Sequence, residues 1–260
     1  MHTTLIERFN NREVKGKDAF EVRYIEKSVA RDVIAKYHYL GKKDFMFTYA
    51  FGLFVKNTDD ILGCATFGMV GGVGSLKGWF GLDNSHSNEF LELTRLVMLP
   101  CANGGNLTSF LLGNSLKIIR KQYKHVRAVV TLADNSMHVG AIYQACNFKY
   151  FGLSNKKTDF YCSDGKLNPR GATKDKHGVW LPRTQKHRYC YIIDNTLDVK
   201  YERVPYPKGN HMNETPTCCE GTHIVHDNRY DEYFTCPICT GELTQISEDE
   251  ARFWGATLEV

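Results

Sequence analysis

Two charged residues lie within stretches of the chain that are otherwise apolar. Arg95 is in the middle of residues 89–99 (EFLELTRLVML), which predict a long strand, and Asp134 follows residues 126–133 (VRAVVTLA), which predict a buried central strand. Strict alternation would place Arg95 on one face with three apolar side chains, those of Leu91, Leu93 and Val97. A guanidinium there is costly unless it is paired or faces a cleft. We therefore expect an Arg95–Asp134 pair where the sheet splits, either orienting a substrate or serving only as a buried ion pair.

A histidine and a tyrosine stand together after the first predicted helix. Ser28 can cap this helix, and its apolar face carries residues at helical spacing: Val29, Val33, Ile34 and Tyr37. His38 and Tyr39 follow in the polar segment YHYLGK. An imidazole changes its charge near neutral pH and a phenol can exchange a proton, so both residues are candidates for proton transfer. The alternative is that His38 is an exposed turn residue.

A glycine and a tyrosine share a second helix, predicted over about residues 136–146. Asn135 or Ser136 can cap it, directly after the buried strand. Gly140 inside a helix costs about 1 kcal/mol relative to Ala, which indicates a close approach of the backbone to another group. Tyr143 lies one turn further on and could protonate a leaving group. The alternative is a core aromatic whose hydroxyl is hydrogen-bonded.

The loop between the long strand and the next helix is a candidate cofactor site. It reads PCANGGNLT over residues 100–108. Backbone N–H groups of Asn103, Gly104, Gly105 and Asn106 could cradle a phosphate where the helix begins. The helix is predicted by apolar residues at helical spacing, which are Leu107, Leu111, Leu112, Leu116 and Ile119.

Charge is unevenly distributed along the chain. Residues 156–188 contain nine Lys or Arg against three Asp, a formal +6 within a chain of net charge +4. Lys186, His187 and Arg188 open the last predicted strand of this region. A basic stretch of this kind indicates binding to the phosphate backbone of a nucleic acid. The alternative is a solvated loop without a partner.

The C-terminal residues 216–260 predict a small metal-binding module. Cys236-Pro-Ile-Cys239 followed by a glycine has the spacing of a zinc knuckle. Cys219 and His223 are the preferred second pair of ligands, with Cys218 and His226 as competitors. Because a segment of this length can bury only a small hydrophobic core, we expect a structural zinc ion to stabilise it. The module contains nine Asp or Glu and two Arg. This negative charge argues against binding to nucleic acid and favours a protein partner or self-association.

The remaining cysteines do not predict a disulfide framework. The chain has nine Cys, an odd number, and five of them are scattered singly in apolar segments: Cys64, Cys101, Cys146, Cys162 and Cys190. We expect these five to be buried small hydrophobic residues. No signal peptide and no apolar run of about 18 residues is present, so we expect a soluble cytoplasmic protein without a membrane contact.

The order of predicted elements is strand, helix, three strands, helix, strand, helix and further strands. It predicts an α+β fold with a mixed central sheet flanked by helices, in which the strands over 89–99 and 126–133 are parallel neighbours. We expect a catalytic domain over residues 1–199, a linker over 200–215 and the zinc-knuckle module over 216–260.

The stretch AVVTLADNSMHVGAIYQACNFKYFG (128–152) resembles the core motif of GNAT-type acyltransferases. The resemblance implies a GNAT-like fold in which Tyr143 protonates the thiolate of coenzyme A. The loop at 100–108 lacks the Arg/Gln–Gly spacing of that family, which indicates a diverged member.

Several short patterns together resemble the Mom family, the DNA-modification proteins of phages, over about residues 18–195. They are His38-Tyr39 in YHYLGK, Arg95 in LTRLVML, Asp134, Tyr143, and the basic strand opening Lys186-His187-Arg188-Tyr189. Members attach a carbamoylmethyl (acetamido) group to the exocyclic amine of adenine in DNA, which protects phage DNA from host restriction.

The resemblance implies a division of roles. His38 or Tyr39 would contact a flipped adenine or relay its proton, Arg95 would stabilise charge on the donor, and Asp134 would accept the amine proton. The partner would be double-stranded DNA, in the host cytoplasm if a phage encodes the chain. The donor stays open between acetyl-coenzyme A, an aminoacyl carrier and another small molecule. The alternatives are a GNAT acyltransferase acting on a protein, a small amine or an RNA base, and a non-catalytic nucleic-acid-binding adaptor.

Overall fold

The computed structural model describes residues 17–38, 45–72, 74–102, 106–162, 167–168, 178–208, 224–227, 232–235 and 245–246. The chain divides into two units. The first comprises residues 1–133, 140–152 and 187–208, and the second comprises residues 134–139, 153–186 and 209–260.

The helices and strands follow in chain order as β1 (Phe20–Tyr24), α1 (Lys27–Tyr37), β2 (Tyr49–Val55), β3 (Ile61–Met69), α2 (Ser75–Phe80), β4 (Phe90–Met98), α3 (Leu107–Gln122), β5 (Ala128–Asp134), α4 (Ala141–Ala145), β6 (Lys149–Leu153), β7 (Lys157–Tyr161), β8 (Val179–Arg183), β9 (Lys186–Ile192), β10 (Ile224–Asp227), β11 (Glu232–Thr235) and β12 (Gln245–Ile246). Short 3-10 helices cover Lys17–Ala19, Asn84–Glu89 and Pro100–Ala102.

A seven-stranded mixed sheet forms the frame, with the strand order β1-β2-β3-β4-β5-β9-β6. Strands β1 to β4 pair antiparallel with their neighbours. β4 and β5 pair in parallel, as the sequence predicts, because α3 provides the crossover connection between them. The predicted mixed sheet with flanking helices is thus confirmed.

Helices cover both faces of this sheet. Alternating residues of β2 divide between two cores: Phe51 and Leu53 pack with the apolar face of α3, and Ala50 and Phe54 pack with α1. The α1 face carries Ala30, Val33 and Ile34 at helical spacing, all buried. A third core forms around α2, where Trp79 and Phe80 pack with Phe90 of β4. Each fully buried aliphatic or aromatic side chain of this size contributes about 1.5–3 kcal/mol of transfer free energy.

Local differences from the sequence prediction concern short helices. α1 begins at Lys27 with Glu26 as its N-cap, so Ser28 lies inside the helix and does not cap it. The glycine-rich segment around Trp79 contains α2, which the order of predicted elements did not include. α4 covers only Ala141–Ala145, and Gly140 is its N-cap with a φ of 82°. The shorter helix leaves Gly140 outside the helix interior.

The segment 200–208, assigned to a linker in the sequence, is part of the first unit. The N–H of Lys200 donates to the carbonyl of Trp79 at 2.8 Å, and that of Val204 donates to the carbonyl of Tyr150 at 3.1 Å. The hydroxyl of Tyr206 donates to the carbonyl of Phe148 at 2.7 Å.

The second unit contains two small antiparallel sheets. β7 and β8 form a two-stranded sheet, and β10, β11 and β12 form a three-stranded sheet. β8 was not anticipated in the sequence. None of the helices that the structure describes has the length and apolar character needed to cross a membrane.

Candidate active site

The central sheet opens between β4 and β5. Their parallel pairing covers Phe90–Glu92 with Ala128–Val130 and extends no further along the described residues of the two strands. Just beyond this point the hydroxyl of Thr131 donates to the carbonyl of Leu93 at 3.3 Å. The opening is the place where side chains and backbone of β4 can meet a ligand, as in α/β folds whose strands part at a binding site.

A β-bulge at Thr94 changes the direction of the β4 side chains at this opening. Phe67 of β3 pairs with Leu93 whereas Thr66 pairs with Arg95, so Thr94 is the extra residue. The hydroxyls of Thr66 and Thr94 are 2.8 Å apart, and that of Thr94 donates to the carbonyl of Thr66 at 3.0 Å. The bulge is therefore held by side-chain hydrogen bonds.

The bulge corrects the predicted face of Arg95. Leu91 and Leu93 point into the core beneath α3, but Val97 packs into the core beneath α1. One inserted residue reverses the alternation, so Arg95 does not share a face with Leu91 and Leu93 as expected. Of the three apolar residues expected on its face, it keeps only Val97.

Arg95 is held by an aromatic ring and a carbonyl. Its guanidinium carbon lies 4.7 Å from the ring centroid of Phe45, a cation–π contact. Its Nη1 donates to the carbonyl of Thr94 at 2.6 Å. Its Nε is buried and has no hydrogen-bond partner among the described residues. A buried donor without a partner in this position is suited to a ligand acceptor.

His38 lies within electrostatic range of Arg95, so the structure brings these two predicted residues together. His38 follows α1 as its C-cap, and its N–H donates to the carbonyl of Ile34 at 2.9 Å. Burial, and secondarily the positive charge of Arg95, lower the pKa of His38 from 6.5 to about 4. The imidazole is therefore neutral at pH 7 and can accept or share a proton. Its predicted partner Tyr39 lies outside the described residues.

Glu92 is a further candidate that sequence reasoning missed. The backbone N–H of Gly71 donates to its Oε2 at 2.8 Å. Burial raises the pKa of Glu92, against smaller opposing effects of this hydrogen bond and of Arg95. A carboxylate with a raised pKa is more basic than an ordinary carboxylate and can accept a proton. Alternation would have placed Glu92 and Arg95 on opposite faces, so no sequence signal joined them.

Asp134 belongs to the second unit, where it ends β5 and forms an ion pair with Lys186. Its Oδ1 also accepts hydrogen bonds from Ser136, at 3.1 Å from the backbone nitrogen and 2.8 Å from the hydroxyl. Burial alone would raise the pKa of Asp134, but the bonds from Lys186 and Ser136 outweigh it and lower the pKa. The sequence predicted an Arg95–Asp134 pair; the structure shows Asp134 paired with Lys186 and Arg95 packed on Phe45.

Tyr143 lies in an aromatic cluster of the first unit and is only 8% exposed. Its ring centroid is 5.4 Å from that of Tyr189 and 5.7 Å from that of Phe148. A Cβ atom at Gly140 would come within 2.9 Å of the Tyr143 ring and 2.7 Å of the Tyr189 ring. The close approach inferred at Gly140 is therefore an approach to these two rings.

The three residues predicted to contact nucleic acid have different environments. His187 is 3% exposed, and its Nδ1 is 2.8 Å from the hydroxyl of Tyr150, so the structure does not place it at the surface. The guanidinium of Arg188 lies 3.8 Å from the ring centroid of Tyr201. Lys186 is engaged with Asp134.

Of the predicted phosphate loop, Asn103, Gly104 and Gly105 lie outside the described residues. Asn106 is the N-cap of α3 with a φ of 65° and makes no side-chain capping bond. The predicted zinc ligands Cys218, Cys219, His223, Cys236 and Cys239 also lie outside the described residues. Within the described ranges, no group of three or more His, Cys, Asp or Glu side chains could hold a metal ion.

The chain is similar to several solved acetyltransferase structures. An N-acetyltransferase from Staphylococcus aureus Mu50 is 16% identical and covers 67% of this chain and 99% of its own, with a TM-score of 0.41. The ribosomal-protein-S18-alanine N-acetyltransferase from Escherichia coli is 12% identical and covers 67% of this chain and 94% of its own, with a TM-score of 0.41. A Bacillus subtilis acetyltransferase in complex with CoA is 11% identical and covers 66% of this chain and 98% of its own, with a TM-score of 0.41.

A comparison with curated proteins found no match. The comparison with protein families matched the Mom protein family over residues 19–208, a range that contains β1 to β9 and the residues of the sheet opening. Since this match spans more than half of the 260 residues, the chain belongs to the Mom protein family.

Proposed function

We propose that this chain is a transferase that adds a carbamoylmethyl (acetamido) group to the exocyclic amine of adenine in DNA, and so protects phage DNA from restriction. The observation that carries the proposal is the arrangement at the β4 bulge. There Glu92, Arg95 and His38, two of them expected from the resemblance, come together beside an opening of the sheet in a member of the Mom family.

The reaction requires a proton acceptor, because the lone pair of the adenine amine is delocalised into the ring and the nitrogen is a weak nucleophile. We propose Glu92 for this role, since its raised pKa gives it more basicity than an ordinary carboxylate. Asp134 is less suited, because its ion pair with Lys186 and its bonds from Ser136 lower its pKa. Through its contacts with Lys186 and Ser136, Asp134 orders the turn that follows β5 instead.

Arg95 would stabilise the negative charge that develops on the donor group. Its contact with Phe45 fixes the plane of the guanidinium, and its buried Nε–H supplies a donor that needs no reorganisation during the reaction. His38, neutral at pH 7, can hydrogen-bond the base or pass on its proton without adding a second positive charge beside Arg95.

Tyr143 would protonate the leaving group. Its burial between Phe148 and Tyr189 fixes the ring, which suits a donor that must meet one atom of the cosubstrate. The donor itself would be a small molecule held in part by the loop at residues 103–106. It must carry a carbamoylmethyl group on a leaving group: the adenine nitrogen forms a bond to the methylene carbon, the bond from that carbon to the leaving group breaks, and Tyr143 protonates the departing group. Acetyl-coenzyme A and an aminoacyl carrier, the other donors left open by the sequence, would instead transfer an acyl group, which corresponds to the alternative function.

The experiment is mass spectrometry of nucleosides from the DNA of cells that express this chain. We expect a heavier deoxyadenosine, whose added mass identifies the group, and its loss in the Glu92→Gln and Asp134→Ala variants. Glu202→Gln, which alters an exposed carboxylate, is the control and should retain the product. Unmodified DNA with confirmed expression would contradict the proposal and would favour acyl transfer to another acceptor.

A further inference from the structure

A fully buried threonine lies beside the cluster at the β4 bulge. Thr66 of β3 is 0% exposed, and its neighbours on the same strand, Cys64, Ala65 and Phe67, are apolar core residues. Burying a hydroxyl costs free energy unless the group is hydrogen-bonded, and a valine side chain would fill a similar space without that cost. The hydroxyl of Thr66 therefore indicates a role that valine could not perform.

Two hydrogen bonds join Thr66 to the bulge residue Thr94, and their directions follow from the number of protons. The hydroxyl of Thr94 donates its one proton to the carbonyl of Thr66 at 3.0 Å. The two hydroxyl oxygens are 2.8 Å apart, so the donor in that second bond is the hydroxyl of Thr66. The proton of each hydroxyl is thus used within the pair.

The methyl branch of Thr94 is also in contact with β3. A Cβ atom at Gly68 would lie 3.4 Å from the methyl carbon of Thr94, so the methyl group lies over this glycine. A β-branched side chain is stiff about χ1, so one rotamer satisfies the hydroxyl and the methyl contact together. Both branches of Thr94 therefore fasten the extra residue of the bulge to the neighbouring strand.

The backbone carbonyl of Thr94 holds the guanidinium of Arg95. Nη1 of Arg95 donates to this carbonyl at 2.6 Å, while the ring of Phe45 lies against the guanidinium plane. A rotation of the Thr94 peptide would move the acceptor, and the guanidinium would move with it. The direction of the buried Nε–H of Arg95 thus depends on how Thr94 is held.

We propose that Thr66 and Thr94 are positioning residues of the transferase, whose paired hydroxyls hold the bulge in the geometry that directs the Arg95 guanidinium toward the bound donor. The inference rests on the proposed function for the role of Arg95. Neither threonine is assigned a contact with the reacting atoms, because both act through the backbone that carries Arg95.

The test compares Thr66→Val, which removes the hydroxyl and keeps the shape of the side chain, with Thr66→Ser, which keeps the hydroxyl. We expect the initial rate at which modified deoxyadenosine accumulates in expressing cells to fall by up to about 100-fold in Thr66→Val. The affinity for a labelled DNA duplex should stay unchanged, because the surface of the protein is not altered. Thr66→Ser should recover most of the rate, and an equal loss in both variants would overturn the inference.

The pKa of His38 is a second readout, which NMR titration measures without DNA or donor. The positive charge of Arg95 helps to lower this pKa to about 4. A guanidinium released from the Thr94 carbonyl turns further into solvent, so Thr66→Val should raise the His38 pKa and Thr66→Ser should leave it near 4. A folded Thr66→Val with an unaltered His38 pKa and an unaltered modification rate would contradict the positioning role.

Ser115→Ala is the matched control. Ser115 is also 0% exposed, and its hydroxyl donates to the carbonyl of Leu111 within α3 at 2.8 Å. Loss of this buried hydroxyl should leave the modification rate and the His38 pKa unchanged. Circular dichroism shows whether each variant folds. If Thr66→Val does not fold, Thr94→Val decides, because it removes the other hydroxyl at a half-buried position and should give the same two effects.

The two proposals fail in different ways. If the unaltered chain forms no modified deoxyadenosine but Thr66→Val raises the His38 pKa, the positioning role stands and the proposed function is wrong. If modified deoxyadenosine forms and folded Thr66→Val matches the unaltered chain in both readouts, the positioning role is wrong and the proposed function stands.

Discussion

Glu92 and Arg95 lie on the same side of β4, although regular alternation would put residues three positions apart on opposite faces. The extra residue Thr94 reverses the alternation between them, and the positive charge of Arg95 acts on the carboxyl group of Glu92. The bulge thus places the carboxyl group of Glu92 and the guanidinium of Arg95 on one side of β4, and the imidazole of His38 completes the cluster.

Replacing Glu92 by Gln should reduce adenine modification by about 100- to 10,000-fold, the range typical for removal of a general base. The amide preserves the size of the side chain and can still accept the bond from Gly71, so folding and DNA binding should change little. The measurement is the modified fraction of deoxyadenosine alongside the urea midpoint. If Glu92→Gln modifies DNA at the normal rate, Glu92 is not the proton acceptor.

The pKa of His38 should respond to Arg95. NMR titration should find the His38 pKa near 4, and Arg95→Ala should raise it, although not fully to 6.5, because burial is the larger cause of the shift. Arg120→Ala removes an exposed charge on α3 and should leave the His38 pKa unchanged. An unaltered His38 titration in Arg95→Ala would show that the two side chains do not interact.

The same group makes stability depend on pH. A histidine whose folded pKa is depressed binds a proton more readily when unfolded, so its contribution is present above pH 6.5 and is lost as pH falls toward 4. His38→Gln should therefore flatten the decline of Tm over this window. If the Tm of His38→Gln falls as steeply with pH as that of the unaltered chain, other groups cause the decline.

Gly140→Ala should destabilise the fold by about 1–3 kcal/mol, because the left-handed backbone and the approach of two rings both oppose a Cβ atom. Its φ is 82°, and the added atom would lie 2.7 Å from Tyr189 and 2.9 Å from Tyr143. Gly113→Ala is the matched control, since a Cβ atom there meets nothing within 4 Å inside α3. Gly113→Ala should raise the free energy of unfolding, measured with urea, by roughly 0.5–1 kcal/mol. Equal effects of the two substitutions would contradict the packing argument.

The zinc knuckle stays a prediction of the sequence. Elemental analysis of the purified chain should find about one zinc ion per chain, and Cys236→Ser should abolish it. Cys162→Ser alters a cysteine outside the predicted knuckle and should retain the metal. A chain purified without chelator that contains no zinc would refute the assignment.

The sequence by itself determined the frame. Hydrophobic spacing located α1, α3 and the strands β4 and β5, because burial imposes a regular pattern of apolar residues on each element. The crossover rule then made β4 and β5 parallel neighbours. Short motifs pointed to His38 and Arg95, and the structure brings these two together.

Only the tertiary structure decided which charges meet. Pairing with β3 created the bulge at Thr94, and a single inserted residue moved Arg95 to the side of Glu92. The ion pair of Asp134 with Lys186 joins residues far apart in the chain, so no local pattern predicts it. Burial of His187 and exposure of Trp180 were likewise undetermined, because alternation defines two faces of a strand but does not say which one the rest of the protein covers.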